Sequence, residues 1–312
     1  MTASRVGIVV VNYNGLECSC ACIDSLLRLP RGQADIIFID NGSSDGSGAA
    51  VQARYGERIV YVALPKNGGV TCGNNAGIAR AQRLGCDYVL FLNNDTEVEP
   101  DFLSRMLVVS VNAGHSLVIP RIVCAFDRTR IDHWNGIGYD WWRSKPSGLR
   151  IYPLDGPAYD APQEVTVAST CCLLVPLSVI ADVGIMDENY FMYYDDADFT
   201  LRVSGAGHRI LYEPGAKIYH KCAVTSSTQQ PSLFQYYLIT RNVFYFYRKL
   251  CPVTAAKIYY LTRTFMQVLL TYVQAVLGKD EQRRDVAAVI IKDIFLKRAG
   301  GLPAVLFRKK AA

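Results

Sequence analysis

Seven residues, Val89-Leu-Phe-Leu-Asn-Asn-Asp95, constrain this chain more than any others: an apolar run of strand length stops abruptly at a carboxylate. Two earlier runs behave alike. Residues 6–11 (V-G-I-V-V-V) end in Asn12-Tyr-Asn-Gly15, and residues 36–39 end in Asp40-Asn-Gly-Ser-Ser-Asp45. Continuous rather than alternating apolar residues suit strands buried on both faces. In a parallel α/β sheet the carboxyl ends of such strands open onto the ligand crevice. An acid placed there can hold a divalent cation against a diphosphate. Many strands end in Asn or Asp turns, so the pattern needs support from other segments.

Helical stretches separate the runs. Asn14 can cap one with Ile23, Leu26 and Leu27 on a single face, and Pro30 follows it. A weaker helix is predicted over residues 48–55 and a strand over 59–64. A polar, Gly-rich loop over residues 66–77 then opens a helix with Ile78, Ala81 and Leu84 inward, ended by Gly85. The strand at 88–92 follows. This alternation predicts a doubly wound, mostly parallel sheet flanked by helices. Residues 120–165 break the rhythm with Trp134, Tyr139, Trp141, Trp142, Tyr152 and Tyr159. They read as an irregular or hairpin region beside the site, with aromatic faces suited to core packing or to sugar rings. Strands are expected at 165–175, 210–212 and 218–220, and a helix at 195–204. From residue 233 the pattern is helical. Residues 265–277 are apolar but too few to span a bilayer, which suits an interfacial or a packed core helix.

Of 312 residues, half are hydrophobic and a fifth charged, a globular balance. The ten cysteines form no Cys-x-x-Cys pair, which fits a reduced cytosolic compartment. Cys18, Cys20 and Cys22 have the wrong spacing for zinc and fall on the first helix. No secretory signal is read at the N-terminus. The net charge of +5 hides an asymmetry: residues 241–312 carry 14 Lys+Arg against 4 Asp+Glu, a net of +10, and the remainder is −5. Two parts are therefore expected, a main domain over 1–240 that holds the motifs and a helical basic region over 241–312. The basic region, with Arg283, Arg284, Lys309 and Lys310, suits either anionic lipid or a solvated helical face.

Tyr13 and Asp40, at neighbouring strand ends, can stack on a nucleobase and accept from a pyrimidine N3–H. Turn capping alone would also explain Asp40. The Gly-rich segment lacks both the P-loop and the G-x-G-x-x-G patterns. Its glycines still let backbone N–H groups approach phosphate. Asn67, Gly68, Asn74 and Asn94 complete the candidate nucleotide-binding set. Asp95 is the candidate metal ligand, with Asn93 two residues before it and His220 at a later strand end. One carboxylate plus substrate phosphates suits Mg²⁺ or Mn²⁺. In Met192-Tyr-Tyr-Asp-Asp-Ala-Asp198, three acids crowd the first turn of a helix, whose dipole favours carboxylates. A carboxylate is what a general base needs, and Asp198 can pair with Arg202.

Taken together, six ordered motifs resemble the family 2 glycosyltransferases of GT-A fold, over residues 5–250. They are V-V-V-N-Y-N-G (9–15), I-D-N-G-S-S-D-G-S (39–47), N-G-G-V-T-C-G-N-N-A-G-I (67–78), L-F-L-N-N-D-T (90–96), D-E-N-Y-F-M-Y-Y-D-D-A-D (187–198) and Y-H (219–220). Tyr236-Tyr-Leu-Ile-Thr-Arg-Asn242 also matches the family's habit. Within the family the chain is most similar to bacterial rhamnosyltransferase-type enzymes. The resemblance implies a Rossmann-like, mostly parallel sheet with a helical basic extension. It implies that Tyr13 and Asp40 hold the donor base, and that Asn93 and Asp95 stand on the D-x-D metal motif, completed by His220. It places Asp196 on the catalytic base, with Asp195 beside it. Reaction with inversion is implied, with dTDP-rhamnose as donor and a lipid-linked saccharide as acceptor, at the inner membrane face. UDP-galactofuranose, UDP-galactose and UDP-N-acetylglucosamine are alternative donors, and a noncatalytic sugar-nucleotide or glycan-binding module is the non-enzyme alternative. The loop reads V-T-C-G-N-N where relatives often carry F-A-x-G-N-N. The Q-x-x-R-W motif of processive members is absent, so a nonprocessive enzyme is expected. No nucleic-acid partner is expected.

Overall fold

The continuous apolar runs become the middle of a sheet that has nine strands among the described residues. The computed structural model describes residues 4–30, 32–134, 136–147, 150–151, 153–221, 232–296 and 302–307. Tyr152, Cys222, Lys309 and Lys310 lie outside them. In chain order come β1 (Val6–Asn12), α1 (Leu16–Leu26), β2 (Ala34–Asp40), α2 (Ser47–Tyr55), β3 (Val60–Ala63), α3 (Gly69–Arg83), β4 (Tyr88–Asn93), β5 (Thr96–Val98), α4 (Phe102–Asn112) and β6 (Leu117–Cys124). Two small pairs follow, β7 (His133–Trp134) with β10 (Arg150–Ile151) and β8 (Gly138–Asp140) with β9 (Lys145–Ser147). This is the expected hairpin region. Then come β11 (Gln163–Val165), β12 (Cys172–Pro176), α5 (Leu177–Val183), α6 (Asp195–Gly205), β13 (Ile210–His220), α7 (Leu233–Leu250), α8 (Thr254–Leu277) and α9 (Glu281–Phe295).

The sheet runs β11-β13-β6-β12-β4-β1-β2-β3, with β5 against β13. It is mixed: β4, β1, β2 and β3 are parallel, as are β6 and β13, while β12 runs antiparallel between the two blocks. Alternate residues of each central strand feed opposite cores. Ile8, Val10, Phe38 and Leu90 pack under α1, α2 and α4. Val9, Ile37, Val89 and Phe91 pack under α3, α5 and α6. Both faces are thus covered, which is why the strands lack a polar side. Gly73 and Gly77 let α3 sit directly on β1, since a Cβ on either would collide with Val11 or Val9.

Four local expectations change. Asn14 does not cap α1: Gly15 stands at the helix start, and Asn14 Oδ1 accepts from the Ser44 N–H at 2.9 Å. The strand expected over 165–175 divides into β11 and β12, because the chain leaves β13 at the sheet edge and re-enters beside β4. The short strands at 210–212 and 218–220 join into one β13 that keeps β6 as its neighbour across a register shift between Glu213 and Lys217. The Gly-rich segment is mostly helix rather than loop: α3 begins at Gly69.

The C-terminal helices pack on one another through Tyr237, Leu238, Val268, Val286 and Ile290. One helix, α7, runs through position 240 and also packs against Tyr190 and Ala197. No helix among the described residues is long and apolar enough to cross a membrane.

Candidate active site

The register sets the site. Asn12 lies opposite Asp40 and Val11 opposite Asn93, so β1, β2 and β4 end together. Tyr13, just past β1, is half-exposed at 48%. Asp40 is buried and accepts from the Ser43 backbone N–H (3.2 Å) and the Tyr61 hydroxyl (3.3 Å). Burial, with Asp40 beside it, raises the Tyr61 phenol. Gly48 leaves the approach to Asp40 open, since a Cβ there would strike the carboxylate.

Asn12 holds this edge together. Its Oδ1 accepts from Gly15, Ser19 and Asn94, and its Nδ2 donates to Ser43 and Ser47. Asn94 also donates to Ser19 (2.9 Å), so its amide is engaged in holding the edge. Asn41 does the same for the start of α3. It accepts from the Gly68 N–H (3.1 Å) and donates to Asn67 Oδ1 (3.1 Å) and the Gly69 carbonyl (3.0 Å). Asn74 is buried with its amide on Met186 Sδ (3.4 Å), inside the packing of α3 against the chain before α6. Of the candidate donor residues, Tyr13, Asp40, Asn67 and Gly68 thus border one edge, while Asn74 and Asn94 support it from behind.

On the other side of β4, β13 delivers His220. Its Nε2 lies 3.1 Å from Asp95 Oδ1, and its Nδ1 lies 2.8 Å from Asp132 Oδ2. The Lys221 N–H donates to the Asp95 carbonyl at 2.8 Å. Burial pushes the imidazole down, but Cys171 and the two carboxylates outweigh it and raise His220 well above its ordinary value. Asp132 is absent from every motif, and its only sequence signal is an acid in an aromatic stretch. It fixes the ring of His220 as a carboxylate commonly does for a metal-bound histidine. Among the described residues no three His, Cys, Asp or Glu side chains form a metal cluster. The donors still suit a hard cation shared with a diphosphate: a carboxylate and an imidazole already paired, with Asn93 two residues before Asp95.

The acids of α6 sit behind an unusual turn. Phe191, Tyr193 and Tyr194 all have φ of 65–67°, which costs energy for residues with side chains. Three groups, two on α7 and one on α3, hold it. The Asn242 amide lies 3.0, 2.7 and 2.9 Å from the carbonyls of Tyr190, Met192 and Tyr193. The Arg241 guanidinium donates to the carbonyls of Asn189 and Tyr190. From α3, the Val70 N–H donates to the Phe191 carbonyl at 2.8 Å. Gly69, at φ 86°, has no room for a Cβ against that same carbonyl. The turn therefore ties the donor segment to the start of α6.

The three acids then differ. Asp198 is fully buried and neutralised by Arg202 (2.8 Å) and Lys249 (2.7 Å), with the Tyr190 hydroxyl at 3.0 Å. Asp195 is buried, and burial pushes its carboxyl up to about 8, helped by repulsion from Asp196 and Asp198 and opposed by backbone N–H groups. Asp196 is half-buried. A proton on Asp195 removes a like charge from beside Asp196. Because the folded-state value of Asp195 lies above its ordinary 3.8, its protonation stabilises the fold fully below about pH 4, and this is lost as pH rises through about 8. Urea melts should show Asp195→Asn losing less stability than wild type across that window.

The segment between β11 and β12 joins the two halves. Asn93 N–H donates to the Cys171 carbonyl (2.9 Å), Ala168 N–H to Thr200 Oγ1 (3.5 Å), and Thr200 Oγ1 to the Asp196 carbonyl (2.7 Å). Among the aromatics of 120–165, Tyr139 and Trp141 are half-buried and pack on Phe246, Tyr139 tilted and Trp141 stacked, and Tyr159 is buried; Trp142 is 55% exposed.

The chain matches the sequence profile described as Glycosyl transferase family 2 over residues 7–174, just over half its length. It is 27% identical to the "Low-salt glycan biosynthesis hexosyltransferase Agl10" of Haloferax volcanii, over 77% of this chain and 74% of that one. It is 27% identical to the "N-acetylglucosaminyl-diphospho-decaprenol L-rhamnosyltransferase" of Mycobacterium tuberculosis, over 68% of this chain and 75% of that one. It is 25% identical to the "dTDP-rhamnosyl transferase RfbF" of Shigella flexneri, over 62% and 64%. Among solved structures, GalNAc-T7 with UDP, GalNAc and Mn²⁺ superposes with a TM-score of 0.59 at 13% identity, over 95% of this chain and 56% of that one. TarS of S. aureus gives 0.54 at 16%, over 84% and 42%. The chain thus spans only about half the length of these structural neighbours, whose likeness shows the fold. With the profile, the hexosyl- and rhamnosyltransferase relatives and the GT-A fold in agreement, the chain belongs to glycosyl transferase family 2 and is a glycosyltransferase.

Proposed function

We propose that the protein is a nonprocessive, inverting transferase that moves rhamnose from dTDP-rhamnose to a lipid-linked saccharide in surface polysaccharide synthesis. The observation that carries the reading is that Asp95, paired to His220 just past the end of β4, and Asp195–Asp196, at the head of α6, are both tied to residues 168–171. The names of two relatives support rhamnose, and one of them supports a lipid diphosphate acceptor. The reading includes the two-part organisation, 1–240 catalytic and 241–312 helical, at the cytoplasmic face of a membrane.

In this reading Tyr13 stacks on the donor base, Asp40 accepts its N3–H, and Asn67 and Gly68 border the diphosphate. Asp95, His220 and Asn93 would hold Mg²⁺ or Mn²⁺, which when bound offsets charge developing on the departing diphosphate. Asp196 takes the proton of an acceptor hydroxyl while that oxygen forms a bond to the anomeric carbon from the face opposite the breaking C–O bond to dTDP. Asp195, holding a proton near neutral pH, contributes no competing charge.

A donor panel tests this. Purified protein with dTDP-rhamnose, UDP-galactofuranose, UDP-galactose or UDP-N-acetylglucosamine is assayed for nucleoside diphosphate release with Mn²⁺, Mg²⁺ or EDTA. Release from dTDP-rhamnose that EDTA abolishes is the expected result. Release from a UDP-sugar instead replaces the donor, and release that survives EDTA overturns the role given to Asp95 and His220. Absence of both release and binding for dTDP-rhamnose overturns the donor.

A further inference from the structure

We infer that the outer face of α8 is a docking surface for an anionic lipid bilayer. The helix buries Tyr260, Val268 and Ala275 against the rest of the molecule, as a surface helix should. Its opposite face is apolar too. Tyr259, Met266, Leu270, Val273 and Leu277 are 48, 54, 57, 44 and 78% exposed. Their spacing of seven, four, three and four residues puts them on one stripe along the helix. Exposed apolar side chains in ones and twos are ordinary, but a continuous stripe marks a contact surface.

Charge selects the occupant. Within α8 there is no acidic residue, while Lys257 and Arg263 are present. Arg263 is exposed and Lys257 half-buried, and Arg283 and Lys292 on α9 are exposed. Asp280 and Glu281 lie beyond the end of α8, and Asp280 is engaged in capping α9 through the Arg283 N–H (3.0 Å). On α9, Asp285 pairs with Arg284 (2.9 Å) and Asp293 accepts from the Tyr237 hydroxyl (2.8 Å), and over residues 254–295 six Lys and Arg stand against four Asp and Glu, a net of +2. Two copies joined through this stripe would bring like charges together, whereas an anionic bilayer offers both an apolar interior and the opposite sign. At one end of the stripe Tyr259 meets exposed Trp142, with ring centroids 6.4 Å apart. Amphipathic rings of this kind favour the level of lipid headgroups.

The surface is wired to the site. The Tyr260 hydroxyl donates to the Trp142 carbonyl (2.8 Å), Tyr260 stacks on Tyr247, and Phe246 beside it contacts Tyr194, the residue before Asp195. The outer face of α8 is therefore linked through packed aromatic rings to the turn that carries Asp195 and Asp196, where the proposed lipid-linked acceptor would react. The inference rests on the proposed function only for that acceptor, since vesicle binding is read without any transfer.

Flotation of the full chain with phosphatidylcholine vesicles, with and without phosphatidylglycerol, tests it. The protein should float with the phosphatidylglycerol vesicles, and Trp142 should shift its emission to the blue. Met266→Glu/Leu270→Glu should lower the partition constant at least about tenfold. Val273→Glu/Leu277→Glu should do the same, and supplies a second variant if the first melts early. Absence of wild-type flotation overturns the inference, and so does undiminished flotation of folded variants. A wild-type dimer by light scattering that the variants convert to monomer overturns it in favour of a second copy.

Discussion

Asp196→Asn is expected to lower kcat by about 10²–10⁴-fold while leaving donor affinity near that of wild type. The proposed base acts on the acceptor hydroxyl, so its loss falls on the transfer step rather than on binding. The amide keeps the size of the side chain and its contact with the Ala197 N–H, which Asp196 Oδ1 accepts at 2.7 Å. Isothermal titration with dTDP-rhamnose, set against product formation, separates the two effects. Equal transfer by wild type and variant would move the base to another residue. Asp195→Asn should be far milder if Asp195 already holds a proton near neutral pH, because the amide imitates that neutral state.

Asn242→Ala should cost about 10²-fold in kcat with a smaller change in KM, because a shift of an ångström in a reacting group is enough for a loss of that size. Asn242 touches no reacting atom in the proposed mechanism; it positions the turn that carries Asp195 and Asp196. Removing its amide leaves the carbonyls of Tyr190, Met192 and Tyr193 without that donor and releases residues held at positive φ. Asn242→Asp distinguishes positioning from packing. It keeps the volume but turns a carboxylate oxygen toward three carbonyls, so activity should stay low. Recovery of kcat in Asn242→Asp would mean that bulk alone matters there.

Much of the framework is legible from local chemistry. Residues 6–11, 36–39 and 88–92 could be read as strands because burial on both faces demands unbroken apolar runs, and their ends could be read from Asn, Asp and Gly. The strand β6 was not legible in the same way. Pro120 and Arg121 interrupt its run, and Arg121 is tolerated in the core only because Tyr212, Tyr159 and Asp160, distant in sequence, receive its guanidinium. The Gly-rich segment looked like a loop because glycine is a poor helix former. Its glycines instead serve close packing on β1, which outweighs that propensity.

The candidate site divides along the same line. Sequence marks Asp95, His220 and the three acids of 195–198, since each stands where a strand ends or a helix begins, and those are properties of neighbours in the chain. Which acid does what is decided only by contacts across the fold. Arg202 and Lys249 neutralise Asp198, burial raises the Asp195 carboxyl, and Asp196 is left half-exposed. Asp132 reaches His220 from 88 residues away, and Asn242 reaches the turn from about 50. Apolar runs and turn residues are written one after another along the chain, whereas ionisation and strain depend on groups that only folding brings within a few ångströms.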